Sequence, residues 1–139
     1  MPKGLSHTVV FTDDIDEAVR LCTEVANLSP VGPYDVAADV AERLFGWHGL
    51  DGPVRATFVG ESPGGLDLVQ IPEQLRGEVA PGLRLLAVVN RDAAAVADRA
   101  AAAGFEVRGP LASTTMHGGP MALTEVVAGG LAFELVQFG

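Results

Sequence analysis

One stretch of the sequence joins a strand pattern to a helix pattern without a break: Leu5-Ser-His-Thr-Val-Val-Phe-Thr-Asp-Asp-Ile-Asp-Glu-Ala18. Its β-branched and aromatic residues predict a strand over 5–11. Thr12, Asp13 and Asp14 offer an N-cap, and apolar residues recur at helical spacing from Ile15 onward. The stretch therefore predicts a strand followed at once by an amphipathic helix that ends near Asn27.

The second half of the chain repeats this arrangement. When residue 7 is set against residue 84, the first stretch aligns without gaps on Gly82-Leu-Arg-Leu-Leu-Ala-Val-Val-Asn-Arg-Asp-Ala-Ala-Ala95. Each half also closes on a related strand, Gly64-Gly-Leu-Asp-Leu-Val-Gln-Ile71 and Gly129-Gly-Leu-Ala-Phe-Glu-Leu-Val-Gln-Phe138. Two matched elements in the same order predict a duplicated module.

The remaining segments complete the predicted order of elements. We expect a short helix over 35–45, strands at about 55–60, 65–71, 83–89, 105–108, 120–127 and 131–138, and a helix over 91–103 that ends at Gly104. These elements predict one α+β domain over 1–139, with module one at about 4–72, a linker at about 72–82 and module two at about 83–139. Because 28–50 gives no clean strand, a ferredoxin-like α+β dimer with fewer strands per module stays an alternative.

Composition limits the classes of partner. The 139 residues are 48% hydrophobic, which suits a single domain with a real core. Nine basic residues among eighteen acidic ones give a net charge of −9, which argues against nucleic acid. The sequence lacks a run of 18 apolar residues and the pattern of a signal peptide, so we expect no membrane partner. The single cysteine, Cys22, cannot form an internal disulfide, which favours the cytoplasm.

Four polar or charged side chains stand on otherwise apolar strand faces. Residues i and i+2 of a strand share a face. Each of four predicted strands then places one such side chain among apolar neighbours, and the opposite faces, Leu85 and Ala87 included, are expected to lie under the helices. The four residues are His7, Asp67, Arg84 and Glu134.

A charge on an apolar sheet face is costly unless it is paired or bound to a metal. Four such residues at corresponding positions of a repeat predict a shared pocket in the cleft between the modules. The alternative is an ordinary buried ion pair of Arg84 with Glu134 or Asp67, with His7 as a neighbour.

The tandem pattern, the opening stretch and the closing Phe-Glu-Leu-Val-Gln-Phe together resemble the vicinal oxygen chelate superfamily. This group includes glyoxalases, methylmalonyl-CoA epimerases, extradiol dioxygenases, fosfomycin-modifying enzymes and bleomycin-resistance proteins. The resemblance extends from about residue 4 to the C-terminus. It implies two tandem βαβββ modules that form a cupped mixed sheet with helices on the outside, and it implies a homodimer.

The resemblance also implies roles for the four residues. His7 and Glu134 match metal ligands, Asp67 falls at the first closing strand, and Arg84 falls where many members have a second histidine. Arginine has no lone pair to offer a metal. One candidate site is therefore His7, Asp67 and Glu134 around magnesium, manganese or ferrous iron. The other has no metal: Arg84 pairs with a carboxylate or grips a substrate carboxylate or enolate, while His7 and a carboxylate act as acid and base.

Other side chains are weaker candidates for contact with a substrate. Trp47 is either a pocket wall or core, His117 lies in the polar loop 113–119 that could cover the pocket, and Phe11 and Phe138 would give apolar walls for a fairly hydrophobic small molecule. The sequence favours an enzyme for isomerisation, epimerisation, cyclisation or elimination next to a carbonyl. The alternative is a metal-free binding protein that sequesters a drug or metabolite.

Overall fold

The computed structural model describes residues 6–61, 63–89, 91–115, 117–128 and 131–139, and only the backbone of 128 and 131. The parts of the predicted strands, turns and loops that fall on 1–5, 62, 90, 116 and 129–130 lie outside these ranges. In chain order the elements are β1 (His7–Thr12), α1 (Ile15–Arg20, continued by a π-helical segment, Leu21–Val25), β2 (Pro30–Val36), α2 (Ala38–Phe45), β3 (Val54–Val59), β4 (Gly65–Gln70), a 3₁₀ turn (Glu73–Leu75), β5 (Gly82–Val89), α3 (Ala93–Ala102), β6 (Glu106–Thr114), β7 (Pro120–Ala128) and β8 (Leu131–Phe138).

The eight strands form one curled mixed sheet in the order β2-β3-β4-β1-β5-β8-β7-β6. Within each half the first and last strands pair in parallel, β1 with β4 and β5 with β8, and the remaining pairs are antiparallel. The halves join where β1 pairs antiparallel with β5. The predicted fold class, an α+β protein of two tandem βαβββ modules, is confirmed. The ferredoxin-like alternative is wrong, because each half has four strands.

The two modules are related about the β1–β5 pair. Thr8 lies opposite Leu86, and the N-caps of α1 and α3 are Asp14 and Asp92, so equivalent residues in this region differ by 78 positions. The gapless alignment of residue 7 with residue 84 is therefore wrong by one residue. An apolar run such as that of β5 carries little information about its own register, so pattern matching could not detect the shift.

A β-bulge marks the same region. Val9 pairs with Leu85 and Val10 with Leu83, so Arg84 is an extra residue of β5 without a partner on β1. A bulge redirects the side chains on either side of it. The predicted faces of Leu85 and Ala87 were consequently wrong: both lie in the main core with Val9 and not under a helix.

A repeated glutamine fastens each closing strand to the helix of its own module. The side-chain oxygen of Gln70 accepts a hydrogen bond from the backbone N–H of Ile15 at 2.8 Å, and that of Gln137 accepts one from Ala93 at 2.9 Å. Both N–H groups lie at a helix start, where no backbone acceptor exists within the helix. The Leu-Val-Gln sequence that closes each half therefore caps the helix as well as completing the sheet.

Both edge strands contain a Gly-Pro pair that the sequence analysis misinterpreted. Gly32-Pro33 in β2 and Gly109-Pro110 in β6 each lie at a shift in strand register. The first pair lies in 28–50, where no clean strand was expected, and the second follows the strand predicted at 105–108, yet both strands continue past them. Proline is tolerated at sheet edges and bulges because its missing N–H faces no partner there. The helix predicted over 35–45 accordingly begins only at Ala38, after β2.

The helices cover both faces of the sheet. Under α1 lies a small cluster on the outer face, built around Ile15, Val59 and Leu68. On the same outer face, α3 lies against Phe133 and Leu135 of β8. By contrast α2 packs on the inner face, where its residues join the main core with Val9, Phe11, Trp47 and Val69. No helix in the described ranges is long and apolar enough to cross a membrane.

Candidate functional site

The strand pairing places three of the four predicted residues on the inner face of the sheet, and the fourth, Arg84, reaches the same face from the bulge in β5. Val9 pairs with Asp67, while Ala87 pairs with both His7 and Glu134. Directly paired residues point to the same face of a sheet, and so do residues two apart on one strand. His7, Asp67 and Glu134 therefore project from β1, β4 and β8 into the same concave space.

Asp67 is held by a hydroxyl group. The Tyr34 hydroxyl of β2 donates a hydrogen bond to Asp67 Oδ1. Burial raises the pKa of Asp67 to about 6, although the hydrogen bond from Tyr34 acts in the opposite direction. Burial and the neighbouring Asp67 also raise the pKa of Tyr34 far above its ordinary value, so the hydroxyl remains a donor. Tyr34 was missed because it lies just before the helix predicted over 35–45, in a segment where no strand was expected.

Glu134 is more deeply buried and lacks such a donor among the described residues. Its relative exposure is 6%. Burial, followed by the charges of Asp67 and Glu125, raises its pKa to about 8, while Arg84 acts to lower it. A carboxyl group in an apolar and acidic surrounding keeps its proton at neutral pH.

The two carboxyl groups consequently differ in protonation near pH 7. Asp67 is mainly ionised and can accept a proton, whereas Glu134 is mainly protonated and can donate one. Two carboxyl groups with their pKa values pushed apart are a common arrangement for general acid and base catalysis. The charge of Asp67 is one of the causes that raise the pKa of Glu134, so the two carboxyl groups lie close enough for electrostatic interaction.

Arg84 pairs with a residue that the sequence analysis did not single out. Its Nη2 donates to Glu125 Oε1 at 2.8 Å and to the backbone oxygen of Leu44 at 3.2 Å. The predicted pairing of Arg84 with Glu134 or Asp67 is therefore wrong. Glu125 is a lone charge within the apolar strand β7, so the criterion that identified Asp67 and Glu134 would also have found it.

His7 is a neutral side chain at the edge of the carboxyl pair. Burial lowers its pKa below the ordinary value. Its ring packs edge-on against Phe58 with 5.6 Å between centroids, and Ser6 Oγ lies 3.2 Å from its Nδ1. Gly65, the partner of His7 on β4, leaves room for this contact, since an added Cβ would overlap the Phe58 ring.

The other residues predicted to contact a substrate differ in their exposure. Trp47 is core: it is 4% exposed and packs on Phe11 with 4.7 Å between ring centroids. Phe11 is itself buried, whereas Phe138 is 54% exposed at the end of β8. His117 is exposed on the turn between β6 and β7.

The side chains present do not fit a metal ion. In the part of the chain that the structure describes, no three His, Cys, Asp or Glu side chains are grouped to hold one. Asp67 already accepts the Tyr34 hydroxyl, and the guanidinium of Arg84 adds positive charge near Glu134. The predicted ligand set of His7, Asp67 and Glu134 therefore gains no support from this geometry.

Comparison with known proteins places this geometry in context. A family model described as the Glyoxalase/Bleomycin resistance protein/Dioxygenase superfamily matches residues 4–133. No curated protein matches the chain by sequence.

Three solved structures illustrate the likeness of fold. A methylmalonyl-CoA epimerase from Mycobacterium tuberculosis is 18% identical over 98% of this chain and 88% of its own, with a TM-score of 0.70. A variant of the Streptomyces coelicolor epimerase in complex with 2-nitronate-propionyl-CoA is 15% identical over 100% and 96%, with a TM-score of 0.70. A methylmalonyl-CoA epimerase in complex with methylmalonyl-CoA and NH4+ is 16% identical over 97% and 94%, with a TM-score of 0.69. At these identities the likeness is one of fold.

Proposed function

The chain belongs to the glyoxalase/bleomycin resistance protein/dioxygenase superfamily, and we propose that it is an enzyme that moves a proton at a carbon next to a carbonyl group, as an epimerase or isomerase does. The observation that carries this proposal is the pair formed by Asp67 and Glu134. These carboxyl groups occupy corresponding strands of the two modules, face the same cup and hold opposite protonation states near pH 7.

The proposed reaction divides the work between the two modules. Ionised Asp67 takes the proton from the carbon on one side, and protonated Glu134 delivers a proton on the other side. The Tyr34 hydroxyl stabilises the ionised form of Asp67, which keeps this base available at neutral pH. Because β1 and β5 separate the two carboxyl strands, the reacting carbon would lie over the centre of the sheet. After one turnover the two protonation states are exchanged, and they are restored by solvent or by the reverse reaction.

The solved neighbours suggest a first substrate to test. Two of them are methylmalonyl-CoA epimerases described with methylmalonyl-CoA or a nitronate analogue. A C–H group between two carbonyl groups is acidic enough for a carboxylate base to remove its proton, because the negative charge of the enolate is delocalised over both carbonyl groups. We therefore propose the class of 2-substituted 1,3-dicarbonyl compounds, with methylmalonyl-CoA as its first member.

The test is exchange of the carbon-bound hydrogen for deuterium in D2O, followed by NMR on methylmalonyl-CoA and on simple thioesters of 2-substituted malonates. We expect Asp67→Asn and Glu134→Gln to lower the exchange rate by roughly 10²- to 10⁴-fold each. Asp98→Asn is the control, because Asp98 is an exposed carboxylate of α3. The rate should be highest between about pH 6 and pH 8, where Asp67 is ionised while Glu134 keeps its proton. An unchanged rate in Glu134→Gln would exclude the proposed role of this residue.

A second candidate function is metal-free sequestration of a small molecule. The observation in its favour is that Arg84 donates a hydrogen bond to Glu125 on the inner face. A guanidinium group thus stands where a metal ligand was expected. Tight equimolar binding of a compound without exchange of its hydrogens would favour sequestration over catalysis. We also propose a homodimer, which light scattering coupled to size-exclusion chromatography tests directly.

A further inference from the structure

A cleft opens beside the Arg84–Glu125 pair, between α2 and β6. Its volume is about 390 Å³. Its lining residues are Arg43, Leu44, Arg108, Gly109, Pro110, Leu111 and Glu125. The backbone oxygen of Leu44 accepts the hydrogen bond from Arg84, so a third guanidinium lies directly behind the wall. Three of the nine basic residues of this acidic chain therefore meet at one cleft.

The floor of the cleft holds a buried acceptor without a donor. Glu125 has no exposed side-chain surface. Its Oε1 receives the hydrogen bond from Arg84, whereas its Oε2 is buried and has no hydrogen-bond partner among the described residues. A buried oxygen left without a donor costs free energy, and native structures rarely keep one that nothing satisfies.

The charges around this oxygen favour an anion. Arg84 offsets Glu125 at 2.8 Å, and Arg108 lies 3.0 Å from Glu106 and 3.9 Å from Glu125 Oε1. Arg43 is exposed and has no acidic partner within the described part of the chain. The cleft thus keeps an excess of positive charge at its mouth and a buried acceptor at its floor. Guanidinium groups are well suited to carboxylate and phosphate oxygens.

We propose that this cleft binds a small anion, a carboxylate or a phosphate, that carries a hydroxyl or N–H group close to the charge. The anion would contact Arg43 and Arg108 while the neighbouring hydroxyl or N–H donates to Glu125 Oε2. Glu125 is the direct strand partner of Glu134, so the rest of the bound molecule would reach the proton-transfer centre. In that respect the inference rests on the proposed function, and it narrows the substrate to an anionic carbonyl compound with a hydrogen-bond donor.

Matched probes separate the two requirements. Calorimetric titration would compare lactate with propionate and glycerol 3-phosphate with propyl phosphate, since only the first member of each pair carries a hydroxyl. We expect one-to-one binding in which the hydroxylated member of at least one pair binds about tenfold tighter or more. The pair that binds tells whether the cleft takes carboxylates or phosphates.

Variants then assign the effect to the cleft. The double variant Arg43→Gln/Arg108→Gln should weaken binding of the preferred probe about tenfold or more, because it removes two charge-assisted contacts. Arg20→Gln is the matched control, since Arg20 is an exposed arginine of α1. Glu125→Gln keeps an acceptor for Arg84 and should abolish the preference for the hydroxylated probe.

Three results would overturn the inference: no binding of any of the four probes at millimolar concentration, equal binding within both pairs, or a preference that survives in Glu125→Gln. If Glu125→Gln fails to fold, the double variant Arg43→Gln/Arg108→Gln decides the question. Unchanged probe binding in that variant would also overturn the inference. Probe binding involves no proton transfer. If the unaltered protein binds none of the probes but still catalyses deuterium exchange, this inference is rejected and the proposed function stands.

Discussion

The two modules place a carboxyl group at the same point of the same fold and surround it differently. Asp67 and Glu134 each stand three residues before the glutamine that caps the helix of their module, Gln70 and Gln137. The pKa of Asp67 is raised to about 6 and that of Glu134 to about 8. Duplication therefore explains where the carboxyl groups lie, and something local to each module must explain their protonation.

The first local difference is a single residue after each Gly-Pro pair. Tyr34 follows Gly32-Pro33 and pairs with Ala56 of β3, while Leu111 follows Gly109-Pro110 and pairs with Leu123 of β7. Module one thus has a hydroxyl donor for its carboxyl group where module two has a buried leucine.

The second difference is the direct strand partner of each carboxyl group. Asp67 lies opposite Phe58, whereas Glu134 lies opposite Glu125. An aromatic ring adds no charge, but a second carboxylate makes ionisation of Glu134 less favourable. Tyr34 in module one and Glu125 in module two both act in the direction in which the two pKa values separate, in addition to the burial and the charge of Asp67 that raise the pKa of Glu134.

The largest expected effect is on the pH dependence of stability. The pKa of Glu134 rises on folding from its ordinary value of 4.5 to about 8, so the folded state holds a proton that the unfolded state has lost. Stability from this group is present below about pH 4.5 and is lost as the pH rises toward 8. Glu134→Gln should remove that loss and raise the free energy of unfolding at pH 9 by up to about 4–5 kcal/mol, with little gain at pH 4.

Asp67→Asn is the comparison in the other module. The pKa of Asp67 rises only from 3.8 to about 6, so its gain at pH 9 should be smaller, up to about 3 kcal/mol. Urea unfolding at pH 4 and pH 9 measures both gains. A larger gain in Asp67→Asn than in Glu134→Gln would contradict the stated order of the two pKa values.

The next effect concerns the charge pair found only in module two. Arg84→Met would remove the closer cation of buried Glu125 and leave Arg108 at 3.9 Å, and we expect the free energy of unfolding to fall by about 3 kcal/mol at pH 7. The double variant Arg84→Met/Glu125→Leu should recover most of this loss, because it removes the orphaned charge as well. Urea titration of the three proteins gives the comparison. A double variant no more stable than Arg84→Met would show that Arg84 acts through packing and not through its charge.

The sequence was sufficient to predict the features that alternation and repetition encode. A lone charge in an apolar strand identified Asp67 and Glu134, and the repeated closing strand identified their equivalence. The same criterion would have found Glu125, which was overlooked because it has no charged counterpart in module one: Phe58 occupies the equivalent place.

Other features depend on tertiary position, which local patterns do not contain. Gly32-Pro33 indicates a break until it is known that β2 lies at the edge of the sheet, where proline does no harm. Because β2 was not predicted, Tyr34 was not recognised as a residue of the site either. The face occupied by Arg84 depends on a bulge in β5, and no side-chain pattern in the apolar run reveals where the extra residue falls.

A smaller effect compares the two helix caps. Among the described residues Gln70 makes three hydrogen bonds, accepting from Ile15 N and donating to the backbone oxygens of Asp13 and Ile71, whereas Gln137 accepts one from Ala93. We expect Gln70→Ala to lower the free energy of unfolding by about 2 kcal/mol and Gln137→Ala by about 1 kcal/mol. Urea unfolding at pH 7 tests the order. Equal losses would show that only the capping bond matters in either module.

The finest test of the comparison changes one oxygen atom. Tyr34→Phe removes the donor to Asp67 while it keeps the ring, so module one comes to resemble module two at this position. Since the lost hydrogen bond favoured the ionised carboxylate, the pKa of Asp67 should rise above about 6, and the acidic limb of the pH–rate profile should move up by roughly one pH unit.

The basic limb of that profile belongs to Glu134 and should move much less in Tyr34→Phe. Leu111→Met is the matched control, because it alters the equivalent position of module two without adding or removing a donor. NMR titration of Asp67 in both variants follows the carboxyl group itself, independently of turnover. If the Asp67 titration stays in place in Tyr34→Phe, the hydroxyl does not separate the two carboxyl groups. Burial and the charges of Asp67 and Glu125 around Glu134 would then account for the difference without that hydroxyl.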